Sequence, residues 1–320
     1  MRTHKITTAK KTVTRIISLF IFLSTSFTTA LYASGGANDF AETEHPIVLV
    51  HGFLGFDTML GVIDYWYKVP ATLEAEGGDV HVALVSPTHS PEVRGEQLIT
   101  QIEDILAITG ASKVNLMGHS HGSTTSRYVA SVRPDLVASV TGISGVNNGV
   151  EFADAIAAGN QQLLASIVPL LSSVIAFMSG NDNPNDAAAA LASMSTENMD
   201  AFNIAHPGGT IANNACGEGD YVHNGIRYYS WSGNSRQTLH LTNPIDLADL
   251  LFAVTGMEYN RDNDGLVASC TSHLGKVIRD DFYFNHLDST NGLLGLTSIL
   301  AHDPVEVIMD HANRLKGEGL

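Results

Sequence analysis

Pro46-Ile47-Val48-Leu49-Val50 is an unbroken apolar run, closed by His51-Gly52-Phe53-Leu54-Gly55. A short apolar run ended by glycine predicts a strand buried on both faces, as in a parallel sheet covered by helices. Similar runs recur at 80–85, 114–117, 137–143 and 226–231. Between them the period lengthens. Residues 95–109 place Leu98, Ile102, Ile105 and Leu106 on one helical face. Residues 64–76 read as helix around Trp66 and Leu73, and 123–132 and 245–254 read as shorter helices. A closing helix spans 304–316, with Asp303 as its cap before Pro304. Strands alternating with helices predict an α/β fold with a mostly parallel central sheet flanked by helices. The chain shows no internal repeat and no low-complexity linker, so one domain over 34–320 accounts for it.

One stretch breaks the alternation. Residues 155–181 carry no charge, and Leu163, Ile167, Leu170, Leu171, Val174 and Met178 repeat at helical spacing. Pro169 would kink or restart that helix. A core helix would show the same pattern. The position, directly after the strand at 137–143, favours a helical lid over 150–180.

The strand at 114–117 leads into Gly118-His119-Ser120-His121-Gly122 and then into the helix at 123–132. A Gly-x-Ser-x-Gly turn between strand and helix holds its serine in a strained conformation with the hydroxyl at the sheet's end. The five residues are individually common; their setting is what identifies a nucleophile elbow. A serine hydroxyl needs a base, and the base needs a carboxylate to fix its tautomer. With this elbow the chain order is serine, acid, histidine. Fourteen histidines make position the discriminator. His286, in Asn285-His286-Leu287-Asp288, follows an aromatic stretch late in the chain, ahead of the alternatives His302 and His311. Asp264 heads an Asp-Gly turn into Leu266-Val267, with Asp262 as its rival. Two backbone N–H donors would hold the oxyanion: His121, after the nucleophile, and Phe53, in the turn after the first strand.

Composition narrows the setting. The 320-residue chain is 44% hydrophobic and 16% charged, with a formal charge of -16, a balance that argues against nucleic acid as a partner. Residues 1–33 have a basic start without acids, an apolar core at 16–23 and small residues near Ala30 and Ala33, the pattern of a secretory signal; its loss would take the charge to -21. Two cysteines, Cys216 and Cys270, predict one disulfide in an exported protein, against two free buried thiols.

Taken together these stretches resemble the bacterial secreted triacylglycerol lipases of the Pseudomonas/Burkholderia family, within the α/β-hydrolase superfamily. The resemblance rests on His45-Pro-Ile-Val-Leu-Val-His-Gly-Phe-Leu-Gly-Phe56, Glu92-Val-Arg-Gly-Glu-Gln-Leu98, Val114-Asn-Leu-Met-Gly-His-Ser-His-Gly122, Tyr228-Tyr-Ser-Trp-Ser-Gly233, Asn263-Asp-Gly-Leu-Val267 and Asn285-His-Leu-Asp288, with shorter matches elsewhere. It implies an α/β-hydrolase fold, the triad Ser120, Asp264 and His286, oxyanion donors Phe53 and His121, and a Cys216–Cys270 disulfide. It implies one structural Ca²⁺ on Asp246 and Asp288 with the carbonyls of Gly292 and Leu296, an oxygen set such an ion prefers. It also implies secretion through the periplasm, a dedicated foldase as folding partner, and a lipid–water interface as substrate surface. Carboxylesterase or polyester hydrolase activity on shorter or soluble esters is the alternative; a non-enzymatic lipid-binding protein on the same fold sits poorly with an intact Ser/Asp/His set. The chain departs from the family at Val146-Asn147-Asn148-Gly149, where relatives carry a Pro-His-Lys-Gly-like turn, in the lid, and at Gly292, where relatives carry a larger residue.

Overall fold

The apolar run at the start of the chain forms β1 (Ile47–Val50), buried along its whole length. The computed structural model describes residues 38–55, 58–59, 63–163, 165, 185–211, 216–238, 252–298 and 300–320. Residues 1–37, which include the expected export signal at 1–33, most of the charge-free stretch, most of the helix expected at 245–254, and Asp246 lie outside the described residues. Phe40–Leu320 forms one unit by its internal contacts.

After β1 come the short strands β2 (Thr58–Met59) and β3 (Ile63–Asp64), helix α1 (Val69–Ala75), β4 (Val80–Ala83), α2 (Pro91–Thr109), β5 (Val114–His119), α3 (His121–Val132) and β6 (Val137–Ile143). The second half adds α4 (Glu151–Ala157), α5 (Ala187–Ser193), α6 (Thr196–Ala205), β7 (Val222–His223), β8 (Ile226–Gly233), β9 (Lys276–Phe282), the four-residue α7 (Gly292–Gly295) and α8 (Pro304–Gly317). Among the described residues the main sheet runs β4-β1-β5-β6-β8-β7, with β9 also on β8. Every pairing within this sheet is parallel except that of β7 with β8, and β2 and β3 form a separate antiparallel pair. This is an α/β-hydrolase architecture, with a parallel central sheet between helices.

The double-sided burial expected for β1 is visible in its alternation. Ile47 and Leu49 pack with Met117, Tyr229, Trp231, Ile308 and Leu315 on one side. Val48 and Val50 pack with Leu98, Ile102, Val114, Leu116 and Val129 on the other. Full burial of each such side chain contributes about 1.5–3 kcal/mol. A third cluster, with Val146, Phe152, Met194, Met199, Phe202 and Val267, also includes partly buried Phe53 and Leu54.

Several boundaries differ from expectation. The helix foreseen over 64–76 is α1, because β3 and a turn consume residues up to Lys68, whose φ of 62° is left-handed. Helix α2 begins four residues earlier than its apolar pattern, at Pro91, where a proline costs no internal hydrogen bond. The strand foreseen at 114–117 continues to His119, and the helix after it starts at His121, so only Ser120 separates them. The Asp303 carboxylate caps α8 by accepting the Val305 N–H at 2.8 Å. Helices α5 and α6, unforeseen, carry side-chain caps at Asp186 and Ser195. Among the described residues no helix is long and apolar enough to cross a membrane.

Parallel pairing has a functional consequence. The C-terminal ends of β1, β5, β6, β8 and β9 share one edge of the sheet, where ligands of open α/β sheets bind. Residues 51–55, Ser120 and the segment holding His286 leave from that edge.

Candidate active site

Ser120 sits between β5 and α3 with φ 55° and ψ −124°. A non-glycine residue there carries strain of about 1–3 kcal/mol, sustained only by its surroundings. Its N–H donates to the Ile143 carbonyl at 2.9 Å, and its carbonyl accepts the Ser123 and Val146 N–H groups at 3.1 and 3.2 Å. The flanking glycines explain themselves by space. A Cβ on Gly122 would meet the Val50 carbonyl oxygen at 2.2 Å, and one on Gly118 would meet the Gly122 oxygen at 2.3 Å. Strand and helix thus approach at a distance only glycine allows, and Ser120 is left 6% exposed.

Asp264 and His286 are both buried and lie in direct contact. His286 Nδ1 is 2.8 Å from Asp264 Oδ2, and the His286 main-chain N–H donates to the Asp264 carbonyl, also at 2.8 Å. The other carboxylate oxygen accepts the N–H groups of Leu266 and Val267 at 3.1 and 2.8 Å. The carboxylate is therefore held by its own turn while one oxygen faces the imidazole. The rivals fare differently. Asp262 is exposed. His311 is buried between the Thr141 hydroxyl at 2.8 Å and Arg314 at 2.9 Å, and His302 lies 3.1 Å from Arg279.

The two expected oxyanion donors flank the elbow. His121 is the first residue of α3, so its N–H has no carbonyl one turn back to bond. Phe53 lies in a turn closed by the Gly55 N–H to the Gly52 carbonyl at 3.2 Å. That turn abuts the nucleophile: a Cβ on Gly52 would sit 2.8 Å from Ser120 Cβ.

The site also holds buried Arg94, Tyr65 and His119, to which the sequence alone assigns no role. Arg94 is fully buried and donates to the His51 carbonyl at 2.6 Å and the Gly52 carbonyl at 3.4 Å, while its other amino group faces His121 Nδ1 at 2.7 Å. Burial pushes its guanidinium down to about 9. His51 is pushed down to about 3, chiefly by burial and then by Arg94, and burial holds His121 well below the usual imidazole range. Tyr65 and His119 are hydrogen bonded to each other at 2.5 Å beside the His286 ring, whose centroid is 4.6 Å from that of His119. Arg94 left a signal, since it stands one turn before Leu98 on the apolar face of α2. A single charge on a buried stripe asks for a partner.

Cys216 and Cys270 are bonded, with Cα atoms 5.0 Å apart. The implied Ca²⁺ ligands are seen only in part. Asp288 is buried, and its Oδ2 accepts the Thr238 hydroxyl at 2.8 Å and the Asn285 N–H at 3.1 Å. Gly292 opens α7 and Leu296 follows it. Among the described residues no three acidic, histidine or cysteine side chains group around a metal position. The donors the family would use here are two carboxylates and two carbonyls. Carboxylate and carbonyl oxygens are the donors a hard divalent cation takes, and Asp288 is the one expected carboxylate among the described residues.

A family profile described as the alpha/beta hydrolase fold matches residues 45–168. A triacylglycerol lipase of Vibrio cholerae serotype O1 is 47% identical over 318 residues, covering 95% of this chain and 98% of that protein. One from Burkholderia plantarii is 38% identical, with 90% of each chain covered. Among solved structures, mature Bacillus licheniformis lipase BlEst2 superposes with a TM-score of 0.59 at 19% identity, over 84% of this chain and 91% of that one.

Proposed function

Since this chain belongs to the triacylglycerol lipases of the α/β-hydrolase fold, we propose that Ser120, His286 and Asp264 are its catalytic triad and that it is exported to work at a lipid–water interface. The observation that carries the triad is the buried 2.8 Å contact between His286 Nδ1 and Asp264, late in the chain from a strained Ser120.

The chemistry follows from those positions. The Asp264 carboxylate accepts a hydrogen bond from Nδ1–H, which keeps the proton on Nδ1 and leaves Nε2 as the basic nitrogen. Nε2 takes the Ser120 hydroxyl proton as Oγ attacks the ester carbonyl. The tetrahedral oxyanion lies against the N–H groups of His121 and Phe53, whose dipoles are fixed before charge develops. His286 returns the proton to the departing diglyceride alcohol, which leaves an acyl-Ser120 ester. Water, deprotonated by the same nitrogen, then releases the fatty acid.

Asp246, Asp288 and the carbonyls of Gly292 and Leu296 would hold Ca²⁺, which would supply positive charge two residues from the base. Asp288 already binds Thr238 and Asn285, so this chain's part is to anchor the His286 loop. The charge-free run from Leu163 to Met178 supplies the lid, the signal at 1–33 directs export, and a dedicated foldase assists folding in the periplasm.

Hydrolysis rates on triglycerides of graded chain length, followed across each solubility limit, test this reading. A sharp rise above the limit is the expected result. Simple saturation on monomeric esters, with no gain on emulsions, would assign a soluble carboxylesterase instead.

A further inference from the structure

Asp264 secures the ring and the N–H of His286, but its carbonyl is held from another direction. His119 Nε2 lies 2.9 Å from the His286 carbonyl oxygen, His119 Nδ1 lies 2.5 Å from the Tyr65 hydroxyl, and the Gly52 N–H lies 3.0 Å from the same hydroxyl. Only one arrangement of protons satisfies all three contacts. A carbonyl can only accept, so His119 Nε2 carries the hydrogen. Burial keeps this imidazole neutral, so Nδ1 is a lone pair. The Tyr65 hydroxyl therefore donates to Nδ1, and its oxygen accepts the Gly52 N–H.

We propose that Tyr65 and His119 form a positioning relay that ties the turn carrying the Phe53 oxyanion donor to the main chain of His286. His119 stands 167 residues before His286 and is covalently next to Ser120, so the relay fixes the spacing of nucleophile and base. Tyr65 selects the tautomer, because the opposite one would turn a lone pair of His119 toward the His286 carbonyl. With its N–H on Asp264 and its C=O on His119, the His286 backbone is held on both sides, and the Asp264 carboxylate holds the ring through Nδ1. Tyr65 and His119 act through the main chain of His286 and not on the ester, a role that rests on the triad proposed above. Positioning errors of about 1 Å cost on the order of a hundredfold in rate, so a small loosening is measurable.

The test measures kcat and KM of the full chain on p-nitrophenyl butyrate for Tyr65→Phe, His119→Gln, His119→Leu, the Tyr65→Phe/His119→Leu double variant and Ser120→Ala, with melting temperatures alongside. Tyr65→Phe is expected to lower kcat about tenfold and leave KM within about twofold, the mark of a loss outside ground-state binding. His119→Leu should lose at least as much, and the double variant no more than His119→Leu, because the two residues act in one chain. His119→Gln, which keeps one donor and one acceptor, should recover to within about threefold of the parent. Factors that multiply in the double variant, an unchanged kcat in Tyr65→Phe, or a loss confined to KM would overturn the relay. If His119→Leu does not fold, the Tyr65→Phe and His119→Gln pair decides by the same criteria. Full turnover by Ser120→Ala would refute the triad itself, whereas a dead Ser120→Ala beside an unaffected Tyr65→Phe refutes the relay alone.

Discussion

His286 meets Asp264 twice, through Nδ1 to the carboxylate and through its main-chain N–H to the carbonyl, each at 2.8 Å. The second contact survives any change of the Asp264 side chain. Asp264→Asn should therefore fold normally and still hold His286 in place, but its amide would favour the wrong imidazole tautomer. A loss of about 10⁴-fold in kcat is expected, the size seen for the equivalent change in a serine protease. Loss within tenfold would remove Asp264 from the triad.

Acid should unfold this protein readily. Burial is the leading reason that His51, His119, His121 and His311 resist protonation in the native state, and His51 is pushed down to about 3. In the unfolded chain each binds a proton near its ordinary value of 6.5. Below that pH the unfolded state holds more protons, so the stability these groups lend is complete above 6.5 and drains as pH falls toward the native values. Each group contributes up to about 1.4 kcal/mol per pH unit inside that window. Urea midpoints at pH 7 and pH 5 should differ clearly, and His311→Gln should flatten the difference. Equal midpoints would contradict it.

Arg94→Met should damage activity more than its distance from the ester suggests. The buried guanidinium donates to the carbonyls of His51 and Gly52, on either side of the oxyanion turn's start, and contacts the His121 ring. The His51 carbonyl, stripped of that donor in a buried setting, costs about 1–3 kcal/mol, while the Gly52 carbonyl keeps the Gly55 N–H. A lower melting temperature with a reduced kcat is expected; an active variant of normal stability would show the turn to be self-supporting.

The sheet and the triad candidates could be read from the chain because each leaves a local mark: an unbroken apolar run at 47–50, glycines around Ser120, an Asp-Gly turn at Asp264. The strand β9 could not. Its Lys276-Val-Ile-Arg-Asp-Asp-Phe282 sequence mixes charge with apolar residues, because among the described residues it pairs only with β8 and is half-exposed. Tyr65 and His119 escaped for a different reason. Their roles exist only once residues 54 positions apart meet, and neither has a spacing rule. Arg94 was legible in principle as the lone charge on the buried face of α2.

Chelation tests the proposed Ca²⁺. An ion present at a hundredfold its Kd stabilises the native state by about 2.7 kcal/mol. Excess chelator should lower the melting temperature by several degrees and reduce activity, and Asp288→Asn should abolish the response. Unchanged melting and activity in chelator would count against the site.

Everything proposed for the reaction depends on Ser120 being the nucleophile. A p-nitrophenyl alkylphosphonate, which is attacked like an ester but leaves a stable adduct, tests it most directly. One adduct per chain, mapped to the peptide carrying Ser120 and rising in step with lost hydrolysis, is the predicted result. An adduct on another residue, or hydrolysis that survives full labelling of Ser120, would contradict it.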